Sequence, residues 1–167
     1  QNLIIGSTGT TLFSYPRPIL NLSGSLTISG GTLKVTNAQS LTLTGSWLKT
    51  SAANTGFTAG TGTVSFTGRN QSLSGSTTFY NLAKSTTVAD TLTLAATATQ
   101  TVGNTLTLNG ASSNLLSLRS SLTGVQWKID PQGTRTITYV NVKDSNNTNA
   151  TAIAAAASPH PRLAGTG

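Results

Sequence analysis

The strongest constraint on the fold is an internal repeat. Residues 26–40 (LTISGGTLKVTNAQS) align without a gap on residues 41–55 (LTLTGSWLKTSAANT), with identical residues at several positions. Two later segments, 91–94 and 105–108, share the run Thr-Leu-Thr-Leu. Short repeats of this kind are typical of a chain that passes through successive equivalent turns, each stacked on the one before. The repeat therefore favours a parallel β-helix, also called a β-solenoid.

Apolar and hydroxyl residues alternate within these repeats, and a glycine often follows. Examples are LTLTG at 41–45, VSFTG at 64–68 and LTLNG at 106–110. Strict alternation that ends at glycine predicts a half-buried strand closed by a turn. Thr and Ser make up 52 of the 167 residues, and both are poor helix formers. We therefore predict an all-β single domain with atypical ends. An antiparallel β-sandwich of pilin type, completed by a donated strand, stays open because alternation does not distinguish the two kinds of pairing.

The two ends of the chain differ from its middle. Residues 1–20 hold an apolar run and two prolines, which stop regular strand pairing, and we predict a cap or subunit-interaction segment there. Residues 21–145 form the predicted solenoid. Residues 146–167 are predicted to hold an edge strand around Ile153 and an irregular tail or linker. The chain begins with Gln1 and contains no Met, which suggests a processed chain or an excised segment.

Two stretches resemble repeats of bacterial secreted parallel β-helix proteins of the adhesin type. They are TFYNL at 78–82 and TITYVNVKDS at 136–145. The resemblance covers about residues 20–155. It implies a right-handed solenoid at the cell surface or outside the cell, and it carries no active site to this chain.

The residues needed for catalysis or metal binding are scarce. The carboxylates are Asp90, Asp130 and Asp144, none of them paired in sequence, whereas glycoside hydrolysis needs two carboxyl groups across the bond. His160 lies between two prolines, and Cys is absent. Residues 144–148 resemble half of a calcium loop but lack its later ligands. We therefore predict a non-enzymatic protein without catalytic, cofactor or metal sites.

The expected partner is another copy of the chain. The net charge is +7, but the ten basic residues are spread singly, so neither nucleic-acid binding nor membrane insertion is predicted. Unpaired strands at an open end of a solenoid would join a neighbour head to tail. The residues predicted to make subunit contacts are Leu3, Ile4, Ile5, Leu12 and Phe13.

Sugars are the second kind of predicted partner. Trp47 aligns with Thr32 in the repeat, which places it on the outer face, where it would stack on a surface glycan or cover a gap at a corner. Asn-x-Ser/Thr triplets make four residues candidates for glycan attachment: Asn21, Asn70, Asn146 and Asn149. Other Asn residues near strand ends, at 81, 109, 114 and 141, are either ordinary turn residues or members of stacked amide ladders.

The composition and the repeat favour a structural role, as the building block of an extracellular filament or a surface adhesin stalk. Glycan binding by an adhesin is an alternative. Ice binding is another, because Thr-Leu-Thr runs at 42–44, 91–93 and 105–107 place paired Thr on one strand face. Against ice binding, such pairs are absent from some strands, and Lys34 and Lys49 are expected to interrupt the surface.

Overall fold

The computed structural model describes residues 1–6, 9–13, 19–52, 55–156 and 162–163, and within 11–13 and 162–163 it describes the backbone alone. These residues form β-strands joined by turns, which confirms the all-β prediction. The alternating pattern explains why, since each strand presents apolar side chains to one face and hydroxyls to the other. The strands are, in chain order, β1 (Leu3–Ile5), β2 (Thr10–Phe13), β3 (Ile19–Leu22), β4 (Leu26–Ile28), β5 (Thr32–Val35), β6 (Ser40–Leu43), β7 (Trp47–Lys49), β8 (Phe57–Thr58), β9 (Thr63–Phe66), β10 (Gln71–Ser74), β11 (Thr77–Ser85), β12 (Asp90–Leu94), β13 (Thr99–Asn109), β14 (Leu116–Ser120), β15 (Trp127–Pro131), β16 (Thr134–Thr138), β17 (Val140–Val142), β18 (Ser145–Asn147), β19 (Ile153–Ala154) and β20 (Arg162–Leu163).

Three parallel sheets contain nearly all of these strands. Sheet 1 has the order β1-β4-β7-β10-β12-β14-β17, sheet 2 the order β3-β6-β9-β11-β13-β15-β18, and sheet 3 the order β2-β5-β8. β16 pairs with β13 beside β15, and β19 pairs antiparallel with β20. From β1 to β9 the chain visits sheets 1, 3 and 2 in rotation, and from β10 to β15 it alternates between sheets 1 and 2. Parallel pairing of strands from successive passages of the chain, such as β1 with β4, contradicts the antiparallel-sandwich alternative.

The pairing register corrects the interpretation of the repeat. Leu26 pairs with Trp47 in sheet 1, and Leu41 pairs with Val64 in sheet 2. The segments 26–40 and 41–55 therefore begin on different sheets, although their sequences align. Two strands that pair in one sheet are separated along the chain by more residues than the sequence repeat contains. The reason is that the chain passes through another sheet before it returns to the first. Trp47 follows the inward position of Leu26 rather than the outer position of Thr32.

The core lies on the inner faces of the three sheets, and sheets 1 and 2 supply most of it. Strands of both sheets alternate buried and partly exposed side chains, as in β6 and β12. Apolar residues supply most of the buried positions, and burial of such side chains contributes about 1.5–3 kcal/mol each. Trp127 is fully buried, and its indole nitrogen donates to the backbone oxygen of Lys143 over 3.1 Å. Trp127 therefore packs in the core with its one polar atom satisfied.

Candidate functional site

The predicted subunit contacts lie on two edge strands. In β1, Leu3 is half-buried, Ile5 is buried, and Ile4 is 68% exposed. Among the described residues β1 pairs with β4 on one side, so it forms an edge of sheet 1. Leu12 and Phe13 belong to β2, which is the edge of sheet 3, and their side chains lie outside the described part of the structure.

Trp47 is a correction. Its side chain is fully buried, and its ring packs edge-on against Phe57 at a centroid distance of 4.8 Å and against Phe79 at 5.2 Å. The expected outer position is wrong, because the in-register partners of Trp47 are the inward-facing Leu26 and Leu73. A buried indole has no face to offer to a sugar.

The four candidate glycan acceptors differ in how free their side chains are. Asn21 and Asn70 are exposed, whereas Asn146 and Asn149 are half-buried. The Asn149 amide nitrogen donates to Asp130 over 3.0 Å. A glycan at Asn149 would occupy the nitrogen that makes this bond.

The three carboxylates occupy separate elements. Asp90 begins β12, Asp130 lies in β15, and Asp144 follows β17. Asp144 accepts a hydrogen bond from the backbone nitrogen of Gly124 over 3.1 Å. In the part of the chain that the structure describes, no three His, Cys, Asp or Glu side chains come together as a metal site. His160 lies outside the described residues.

A buried polar cluster between sheets 1 and 2 was missed by the sequence prediction. It consists of Lys84 on β11, Asp90 on β12 and Gln71 on β10, and we call it the Lys84 cluster. The Lys84 amine lies 2.6 Å from Asp90 Oδ2 and donates to Gln71 Oε1 over 2.8 Å and to the backbone oxygen of Gly68. Lys84 and Asp90 side chains are 0% and 1% exposed. The signal was present in the alternation, since Lys84 and Gln71 both occupy inward positions of their strands.

Hydrogen bonds and charge keep Asp90 ionised. Burial raises the pKa of its carboxyl, but hydrogen bonds from Lys84 and from the backbone nitrogen of Asn70, the charge of Lys84 and the backbone nitrogen of Thr91 together outweigh this effect. The pKa of Asp90 therefore lies below its ordinary value.

Lys49 is a second buried lysine. Its amine donates to the backbone oxygens of Ser51, Ala52 and Ser76 over 3.1, 2.7 and 2.9 Å. Burial lowers the pKa of Lys49. Because its side chain is 3% exposed, Lys49 does not interrupt an outer surface as expected, and that expectation is wrong. The exposed Lys34 lies on β5, in sheet 3.

The outer face of sheet 2 carries two columns of small polar side chains, which we call the hydroxyl face. The register of β6, β9, β11, β13 and β16 places one residue of each strand in each column. Every residue of the two columns except Asn81 and Ala83 carries a hydroxyl. Asn81, one of the predicted turn or amide-ladder residues, accepts from the amide of Asn104 over 2.8 Å, and Asn104 was not among the predicted residues. The first column is Ser40, Thr63, Asn81, Thr105 and Thr134, and the second is Thr42, Ser65, Ala83, Thr107 and Thr136.

Comparison of the chain with protein-family models, with curated proteins and with solved structures finds no match in any of the three. Within the described residues, no helix has the length and apolar character required to cross a bilayer. The fold and the edge strands therefore define the chain as an all-β protein with parallel sheets.

Proposed function

We propose that this chain is a non-enzymatic structural building block of an extracellular filament or a surface adhesin stalk, folded as a right-handed parallel β-helix. The observation that carries the proposal is the set of edge strands at the N-terminal end: β1, β2 and β3 each have one neighbour among the described residues. Edge strands offer unpaired N–H and C=O groups to another chain. The order in which the chain visits the sheets supports a coil in which each passage adds one strand to sheet 1 and one to sheet 2.

Head-to-tail stacking gives these edges a partner. At the other end of the described stack, sheet 1 ends at β17 and sheet 2 ends at β18. A second copy that placed its β1 beside β17 and its β3 beside β18 would continue both parallel sheets. Such a contact is heterologous and produces an open filament. The ion pair between Lys84 and Asp90 is internal, so the proposed joint depends on backbone pairing and apolar contacts.

Ile4 provides a sharp test of the joint. The backbone nitrogen of Leu3 donates to Ser25, and the backbone oxygen of Ile5 accepts from Ser29, so these residues face β4. Because residues alternate in a parallel ladder, the Ile4 N–H faces the open edge. Ile4→Pro removes that donor, and Ile4→Thr retains it as a matched control.

We expect the wild-type chain and Ile4→Thr to form filaments in electron micrographs and Ile4→Pro to stay monomeric with an unchanged circular dichroism spectrum. Deletion of residues 1–15 should also block assembly. Neutral contacts are little screened, so filaments should persist at about 1 M salt. Monodisperse wild-type monomers at all concentrations, normal filaments of Ile4→Pro, or filaments that dissolve in salt would refute the proposed joint.

Ice binding is a second candidate, and the hydroxyl face favours it. Strands lie about 4.8 Å apart, and alternate residues along a strand lie about 6.7 Å apart. The face is therefore a regular grid of neutral side chains, most of which carry a hydroxyl. The columns hold no charged side chain. Thermal hysteresis above a buffer blank, lost in Thr107→Lys and kept in Thr93→Lys on sheet 1, would support this function. Hysteresis equal to the blank would exclude it.

A further inference from the structure

We propose that the Lys84 cluster is an autocatalytic cross-linking site, in which the Lys84 amine displaces ammonia from the Gln71 carboxamide and forms an intramolecular isopeptide bond. Asp90 acts as the proton acceptor. The inference concerns a covalent modification inside one chain, and it does not depend on filament assembly.

The electrophile is held in a fixed orientation. The Gln71 amide nitrogen donates to the backbone oxygens of Leu43 and Gly45 over 3.1 and 2.5 Å. These two bonds turn the carbonyl oxygen of the carboxamide towards Lys84, whose amine lies 2.8 Å from it. The carbonyl carbon is bonded directly to that oxygen, so the reaction requires the amine to move from the oxygen onto the adjacent carbon.

The proton acceptor is also fixed. Asp90 Oδ1 accepts from the backbone nitrogens of Asn70 and Thr91, each over 2.7 Å. The second oxygen, Oδ2, is left facing the Lys84 amine at 2.6 Å. Lys84 and Gln71 are each 1% exposed and Asp90 is 5% exposed, so water has little access to compete as the nucleophile.

The reaction balances without any outside reagent. The Lys84 ammonium passes one proton to the Asp90 carboxylate and becomes a neutral amine. The amine nitrogen attacks the Gln71 Cδ, the C–N bond to the amide nitrogen breaks, and a second amine proton leaves with that nitrogen. The products are a Lys84–Gln71 amide, one ammonia and a protonated Asp90. The total charge of the cluster is zero before and after the reaction.

Placement and burial both favour the step. Reacting groups held in contact gain effective concentrations of about 10⁵–10⁸ M, and the reaction needs to happen once in the life of the chain. The products contain no buried charge, which removes the desolvation penalty that the Lys84–Asp90 ion pair carries.

Lys49 supplies the control within the same protein. It is also a buried lysine, but its amine donates to three backbone oxygens. No Asp or Glu side chain contacts it in the described part of the chain, where the one ion pair is that between Lys84 and Asp90. Lys49 should therefore remain a free amine.

Peptide mapping of the purified, denatured full chain tests the proposal. Trypsin cleaves after Arg69, Lys84 and Arg119 in this region, and acylation of Lys84 blocks the middle cleavage. We expect one peptide spanning 70–119, lighter by one ammonia, with tandem fragmentation that places the loop between residues 71 and 84. Intact mass alone is insufficient, because cyclisation of Gln1 also releases one ammonia.

Two variants complete the test. Lys49→Arg should retain the cross-link, and Asp90→Asn should lose it. Separate wild-type peptides 70–84 and 85–119, or a 70–119 peptide of full mass, would overturn the proposal. The wild-type map decides even where Asp90→Asn fails to fold. A cross-link formed to completion in folded Asp90→Asn would contradict the role of Asp90 as proton acceptor.

Discussion

Replacement of Trp47 by alanine should cost more stability than replacement of its neighbour. Trp47 is fully buried between Phe57 and Phe79, so Trp47→Ala leaves a cavity that fixed strands cannot close. Large-to-small core changes of this kind cost about 3–5 kcal/mol. A typical domain is stable by about 5–15 kcal/mol, so the variant should be close to unfolded at moderate denaturant concentration.

Trp47→Phe separates packing from hydrogen bonding. The Trp47 indole nitrogen has no hydrogen-bond partner among the residues that the structure describes, and a buried donor left unsatisfied costs about 1–3 kcal/mol. Phenylalanine removes that donor and keeps most of the ring contacts. We therefore expect Trp47→Phe to cost far less than Trp47→Ala, because the relieved polar penalty offsets the smaller ring.

Urea unfolding followed by circular dichroism and by Trp127 fluorescence measures these differences. Leu48→Ala is the control, since Leu48 is the next residue along β7 and is 38% exposed. It should cost less than about 1 kcal/mol. A Trp47→Ala cost no larger than that of Leu48→Ala would refute the buried placement of Trp47. Equal costs for Trp47→Phe and Trp47→Ala would refute the account of the indole nitrogen.

Three further predictions concern turns, charge and the hydroxyl face. A Cβ at Gly62 would overlap a backbone oxygen of the stacked turn, so Gly62→Ala should cost about 1–3 kcal/mol in urea unfolding, whereas Gly103→Ala should be nearly neutral. Burial lowers the pKa of Lys49 from 10.5, so between the two values the unfolded chain binds more protons. The free energy of unfolding should therefore rise with pH up to about 10.5, and in urea titrations Lys49→Met should lose this rise while Lys34→Met keeps it. Asn81→Ala removes an acceptor used by two hydrogen bonds. It should lower the urea midpoint by the equivalent of about 1–3 kcal/mol. An unchanged midpoint would show that the Asn81–Asn104 pair contributes nothing to stability.

The strands were predictable because they depend on local patterns, and the internal repeat favoured their parallel pairing. Alternation at 41–45 and 64–68 identified β6 and β9 and the inward positions within them. The position of Trp47 was not predictable from the repeat, because the aligned segments 26–40 and 41–55 begin on different sheets. Local alternation would have served better there, since Trp47 and Lys49 both occupy inward positions of β7.

The Lys84 cluster shows a different limit of sequence reasoning. An inward lysine at residue 84 is visible from alternation, but its partners come from β10 and β12, on the opposite sheet. Which strands face each other across the core depends on turn lengths that the pattern of one strand does not contain. The same reasoning explains why the Asp90 carboxylate looked like an isolated residue before a strand.

The buried polar side chains share one structural role, which is to donate hydrogen bonds to backbone oxygens of the turns. Strand pairing satisfies the backbone within each sheet, but turns between strands leave carbonyl oxygens that need another hydrogen-bond donor. Lys49, Gln71, Lys84, Gln100 and Asn147 each donate to the backbone oxygen of a residue between two strands. A backbone carbonyl left without a donor would cost about 1–3 kcal/mol. A long polar side chain that extends from the core and donates to this carbonyl removes that cost. Lysine suits this position because its three donors satisfy several oxygens at once. The turns that need a donor therefore determine where the buried polar residues lie, and the alternation along the strands determines where the outer hydroxyls lie.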